Sequence, residues 1–173
     1  MIAKEALGQD VITTRGRILR ERALAAWRGN PAIQVMAPDA PADSLPILSF
    51  RIRDGRGGLV HHQLFTRMLS DIHGVQARGG CACAGSYAHR LLGIDRVQSE
   101  ALSARIAQGE DIQKPGWVRL NFSVLLDDAK ADRIIAAVDD LARNAARWAG
   151  LYQVDPATSR FTLRPDAALA RIA

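Results

Sequence analysis

The sequence predicts an α+β domain: a small sheet of three to four short strands, covered by helices on one face and entered by a long N-terminal helix. Three observations lead there. Stretches with apolar residues at helical spacing are interspersed with short β-type runs, residues 117–122 alternate with period two, and glycine or proline punctuates the junctions.

Taken in order, residues 3–29 read as one long helix, with Ile12, Leu19, Ala23 and Trp27 at helical spacing. Gly29, Asn30 and Pro31 stop it. Residues 33–36 form a short strand, and a loop rich in Pro, Ala and Asp (38–46) leads to the β-type run 47–52. Gly55, Gly57 and Gly58 make a turn before an amphipathic helix at 60–73, whose apolar face is Leu64, Met68, Leu69 and Ile72 and whose cap is Gly74. An extended piece at 75–77 enters the segment 78–85, and helices at 86–92 and 96–107 are separated by Gly93. The strand at 117–122 implies a sheet with one face wet or turned to a partner. Asp127 and Asp128 open the strongest helix, running to about 146 over Ile134, Ile135, Val138 and Leu141. A strand at 160–163 and a short Ala-rich helix end the chain. The divisions are a helix at 1–30, a domain at 31–146 and a tail at 147–173.

A chain of 173 residues fits one domain, and 48% hydrophobic with 24% charged residues excludes a disordered one. With 5% aromatics, Leu, Ile, Val and Ala must fill the core. The net charge of +5 comes from dispersed arginines. The densest group, Arg15, Arg17, Arg20 and Arg22, includes Glu21 and reads as a solvated helix face, so no nucleic-acid partner is expected. Cys81 and Cys83 are one residue apart, and an extended backbone points their side chains to opposite faces. A disulfide between them is disfavoured, and a reduced, cytoplasmic setting is expected. No apolar run reaches the roughly 18 residues of a membrane span, and no signal-peptide core is visible, so the expectation is a soluble protein without a membrane partner.

The segment Gln76-Ala77-Arg78-Gly79-Gly80-Cys81-Ala82-Cys83-Ala84-Gly85-Ser86-Tyr87 concentrates the chemistry. Its glycines permit unusual backbone angles and close approach of a ligand, and the adjacent Arg favours thiolate. The residues alone leave open a nucleophilic thiol, a soft metal ligand pair, or two small buried residues in a tight turn. His61, His62, His73 and His89 are not at metal-finger spacing, so no metal is expected. His61 and His62 are adjacent and cannot share a helix face, so they read as structural residues where the helix begins.

From Leu45-Pro46-Ile47-Leu48-Ser49-Phe50, through 78–85, to Lys114-Pro115-Gly116-Trp117-Val118-Arg119-Leu120-Asn121-Phe122, the sequence resembles the small C-terminal domain of class V aminotransferases. That family includes cysteine desulfurases and, more distantly, molybdenum cofactor sulfurases, and the resemblance runs in consistent order over residues 1–146. It implies part of a fold-type I pyridoxal phosphate (PLP) enzyme, with the helix at 3–29 similar to the connector from the large domain. In the family's desulfurases a persulfide-forming Cys follows an Arg by five residues. Arg78 and Cys83 stand at that spacing, which makes Cys83 the candidate nucleophile and Cys81 a weaker one. Arg119 matches the Arg that binds the substrate carboxylate, so Arg78 and Arg119 are the expected substrate-binding residues. A guanidinium fork suits a carboxylate.

In the family the Schiff-base Lys follows a His in the large domain. Here Lys4 follows Ala3, Lys114 follows Gln113 and Lys130 follows Ala129, so the chain is expected to bind PLP only when a large domain completes it. The resemblance thus implies a domain or fragment inactive alone, an exposed apolar face for the large domain, an amino-acid substrate, and a homodimer in the complete enzyme. Cys81 and the continuation Ala84-Gly85-Ser86-Tyr87 depart from the standard desulfurase loop, which leaves transamination and desulfuration both open. Two alternatives come from other classes: a non-catalytic interaction module that keeps the fold, and a stand-alone persulfide carrier with Cys83 loaded and Cys81 resolving.

Overall fold

The expected single N-terminal helix is two in the computed structural model, which describes residues 2–41, 44–80 and 85–166. Helix α1 (Ile2–Leu7) ends at Gly8, whose φ of 79° lies in the left-handed region that breaks a helix, and α2 (Gln9–Trp27) follows. Helix α2 buries Leu19, Ala23 and Trp27, as their spacing requires, and with them Gly16 and Arg20. The basic stretch is therefore not one solvated face. Arg17 pairs with Glu21 in solvent, Arg15 and Arg22 reach Asp128, and Arg20 is only 7% exposed.

Strands β1 (Ile33–Val35), β2 (Ile47–Arg53) and β3 (Leu59–Val60) precede α3 (His62–His73) and β4 (Arg78–Gly80). Helices α4 (Gly85–Leu92) and α5 (Arg96–Ala107) and a 3₁₀ turn (Asp111–Gln113) lead to β5 (Trp117–Asn121) and α6 (Asp128–Ala149). The described chain closes with β6 (Tyr152–Asp155) and β7 (Arg160–Leu163). The main sheet has the order β1-β2-β5-β4, with β3 paired to the end of β2, and every pairing is antiparallel. The α+β class holds, with more strands than the expected three to four. Strands β3, β4 and β6 are the additional ones, two to four residues each, and they are strands by virtue of their pairing with β2, β5 and β7. The helix expected from residue 60 starts at His62, since Leu59 and Val60 pair with Arg53 and Ile52. The Ala-rich terminal helix lies almost wholly beyond Asp166, outside the described residues.

The alternation of β2 sends Leu48, Phe50 and Ile52 into the core and Ile47, Ser49, Arg51 and Arg53 to the other face. Strand β5 does the same with Val118 and Leu120 against Trp117, Arg119 and Asn121. Helices α2, α3 and α6 cover the core face. Trp27 and Phe65 both contact Phe50 there, with ring centroids 5.2 Å and 6.1 Å away. Helix α6 buries small residues, Ala131, Ala142 and Ala145 among them, and it is capped by the Asp127 side chain accepting from the Lys130 N–H. Two long-range hydrogen bonds fix the end of α2 to α6. Trp27 Nε1–H donates to Ile135 O (3.0 Å), and the buried Asn30 amide donates to Asp139 while accepting from Ala32 N. The β6–β7 hairpin forms a second, two-stranded sheet whose Phe161 and Leu163 pack against the core. Among the described residues no helix is long and apolar enough to cross a membrane.

Candidate functional site

The glycines of the Arg78-Gly79-Gly80 segment have a steric reason. A Cβ on Gly79 would stand 3.0 Å from the His62 carbonyl oxygen, so β4 lies directly against the first turn of α3. On the other side, a Cβ on Gly116 would stand 2.7 Å from the Gly80 carbonyl carbon and 2.9 Å from His62 Cε1. At these positions the close approach is between parts of the chain itself. Gln63 Nε2–H donates to Gly79 O (3.2 Å), which occupies a carbonyl of this edge strand. Gly116→Ala is expected to lose roughly 2 kcal/mol, the usual result of overpacking against unyielding backbone. A denaturation midpoint equal to that of the parent would contradict this tight seat.

Antiparallel register then does what spacing could not show. Arg78 stands directly opposite Arg119, and Arg119 stands opposite Ser49 on its other side. Directly opposed residues have Cβ atoms about 4.5–5.5 Å apart, where two like charges repel. Arg78 is exposed and Arg119 half-buried. Among the described residues no carboxylate pairs with either, the ion pairs being made by other arginines such as Arg15, Arg22, Arg67, Arg105 and Arg143. An unneutralised arginine pair on one sheet face attracts an anion.

Arg119 lines a cavity of about 250 Å³ at the junction of α2, the β1–β2 loop, β2, β5 and α4. Arg20, Ser49, Trp117 and Tyr87 also line it, and no Asp or Glu does among the described residues. Arg78 is not part of this lining. Cys81 and Cys83, the expected nucleophile candidates, lie outside the described residues. The expected substrate-binding pair is thus brought together, with its thiol companions not described.

The lysines do not fit a Schiff-base site here. Lys114 and Lys130 are exposed and ion-paired with Asp111 (2.8 Å) and Asp127 (3.0 Å), Lys4 is exposed on α1, and none lines the Arg119 cavity. Among the described residues no group of three or more His, Cys, Asp or Glu side chains could hold a metal ion.

The two histidines occupy the start of α3. The His61 Nδ1 accepts from Gln63 N–H (3.2 Å), so Nε2 carries the proton and donates to Ile112 O (3.2 Å). His62 stacks on His61 at 4.3 Å between ring centroids and faces Gly116. Burial pushes the His61 pKa down against its hydrogen bond to Ile112, and burial with the neighbouring His61 pushes His62 down to about 4. Both rings are therefore neutral at pH 7 and serve as cap and packing. His61→Ala removes the cap and is expected to lose about 1 kcal/mol, read as a lower melting temperature.

Arg20, Ser49 and Trp117 are the cavity residues that motif reasoning missed. For Arg20 a signal existed: it is four residues after Gly16 and three before Ala23, a charge set within the apolar stripe of α2. Comparison with known proteins finds no matching family model and no curated relative for this chain.

Proposed function

We propose that this chain is the substrate-gripping small domain of a class V aminotransferase-type PLP enzyme, in which Arg119, with Arg78 beside it, binds an amino-acid carboxylate. The observation that carries the reading is the cross-strand placement of two arginines that, among the described residues, have no carboxylate partner, beside a cavity that Arg119 lines. The guanidinium of Arg119 offers a planar pair of N–H donors, which fixes a carboxylate in orientation as well as place. PLP, when bound to a large domain, supplies the electron sink. This chain contributes binding and orientation, since no lysine lies at the site.

An apolar surface supports the need for a large domain. Leu7, Val11 and Ile18 are exposed on the outer side of α1 and α2. Leu45, Ile47 and Leu125 are exposed nearby, because Gly16 of α2 touches the Pro46 ring and Arg15 donates to Leu126 O. Val11 and Ile18, seven residues apart, share one face of α2, and apolar side chains paired in water in this way favour an interface.

The test is co-expression with a class V large domain bearing the His-Lys pair. The expected result is a complex with the visible absorbance of bound PLP, in which Arg119→Ala raises KM for the amino acid by roughly ten-fold or more, as expected on loss of a charge-assisted pair. A mixture that never takes up PLP, or an Arg119→Ala enzyme with unchanged kinetics, would sink the proposal.

A further inference from the structure

The cavity beside Arg119 contains a second cation that a single carboxylate leaves unused. Arg20 enters it from α2 and is only 7% exposed, yet among the described residues no carboxylate pairs with it. A guanidinium mostly covered by protein gains from an anion that enters the space beside it. The sheet wall opposite carries Arg119 and Trp117. Trp117 is 4% exposed, and its Nε1–H is buried within the wall, not open to the cavity. Arg20 and Arg119 are donors only, and Ser49 can donate as well.

The two guanidiniums stand on different walls, Arg119 on the sheet and Arg20 on the helix. Apolar side chains, among them Met36, Ile47 and Leu91, share the lining. A volume of about 250 Å³ exceeds that of one inorganic anion and suits a short carbon chain with a charged group at each end. We propose that Arg20 and Arg119 hold the two anionic ends of one ligand, so that the substrate class is an amino acid with an acidic side chain. Arg119 takes the α-carboxylate and Arg20 takes the side-chain acid. This rests on the carboxylate grip proposed for Arg119 and adds the residue that selects the side chain. Arg20 is a specificity residue on this account.

The experiment titrates the purified chain with succinate, glutarate, propionate and inorganic phosphate, followed by calorimetry and by the arginine side-chain NMR signals. The expected result is that one of the diacids binds about ten-fold or more tighter than propionate, the gain from a second charge-assisted contact. Arg20→Gln should reduce diacid binding to the propionate level and leave propionate unchanged, whereas Arg20→Lys should restore part of the preference. Circular dichroism verifies folding of each variant. Should Arg20→Gln fail to fold, a diacid-dependent shift of the Arg20 signal in the parent chain reads the same contact.

Diacids that bind no tighter than propionate, or not at all, overturn the proposal. So does a preference that survives Arg20→Gln. Phosphate binding as tightly as the diacids overturns it too, since both arginines would then share one anion. The two levels separate cleanly. Propionate binding that Arg119→Gln abolishes, without a diacid preference, leaves the carboxylate grip standing and removes only the role of Arg20. Propionate binding indifferent to Arg119→Gln removes the grip itself.

Discussion

Phe50→Ala is expected to lower the stability of the chain by about 4 kcal/mol, the usual range for emptying a buried aromatic site. Phe50 is 0% exposed and stands at the centre of the core face of β2. Its ring meets Trp27 of α2 at 5.2 Å and Phe65 of α3, edge-on, at 6.1 Å. The substitution removes both aromatic contacts and leaves a void between three elements that cannot close independently. Against a total stability of about 5–15 kcal/mol for a domain, the loss would leave a chain near its unfolding threshold. Urea titration reads the effect as a lower midpoint with an unchanged slope. Leu45→Ala is the control: Leu45 is 71% exposed, and a change within about 0.5 kcal/mol is expected. A Phe50→Ala loss as small as that of the control would contradict the central placement of this ring.

Acid should weaken the fold through His62. Its pKa is lowered from 6.5 to about 4, first by burial and second by the adjacent His61. The unfolded chain takes up a proton near pH 6.5 while the folded chain resists until about pH 4, so the unfolded state binds more protons between these values. The His62 contribution is therefore intact above pH 6.5, falls as pH drops through the window, and is fully lost below about 4. The total is roughly 3 kcal/mol, at about 1.4 kcal/mol for each pH unit of the window. The lowered pKa of His61 acts in the same direction. Stability measured by urea from pH 7.5 to 4 should fall more steeply in the parent than in His62→Phe, which retains a ring of similar size. An imidazole titration by NMR with a midpoint near 6.5 for His62 would remove the basis of this expectation.

His62 also shows how structure and site share residues. Its ring and carbonyl form part of the seat that β4 occupies between Gly79 and Gly116. Protonation of His62 would therefore disturb the strand that carries Arg78. The acidic loss of stability and any loss of anion binding should run in parallel over the same pH window.

Much of this molecule was legible along the chain. Helices α2, α3 and α6 are long enough for apolar periodicity to show, and β2 and β5 are long enough for alternation. Gly74, in the left-handed cap of α3, and Asp127, capping α6, acted through local backbone chemistry and were equally visible. Arg78 and Arg119 were singled out by motif position. Their relation to each other was not, since 41 positions separate Arg78 from Arg119 in the sequence and only sheet register sets them opposite. Arg20 was misread as solvated because its neighbours Arg17 and Arg22 are indeed charged surface residues. Its burial depends on the β1–β2 loop and β2 closing over that side of α2.

The sequence by itself determined the α+β class, the order of the main elements and their caps, and it singled out Arg78 and Arg119 by motif position. Tertiary structure decided the break at Gly8, the short strands β3, β4 and β6, the necessity of Gly79 and Gly116, and the gathering of Arg20, Trp117 and Arg119 around one cavity. The physical reason is range. Propensity, capping and periodicity act over a few residues and are written in the local chain. Register, steric seats and buried side-chain hydrogen bonds arise between segments such as Trp27 and Ile135, 108 positions apart, and exist only once the chain has folded.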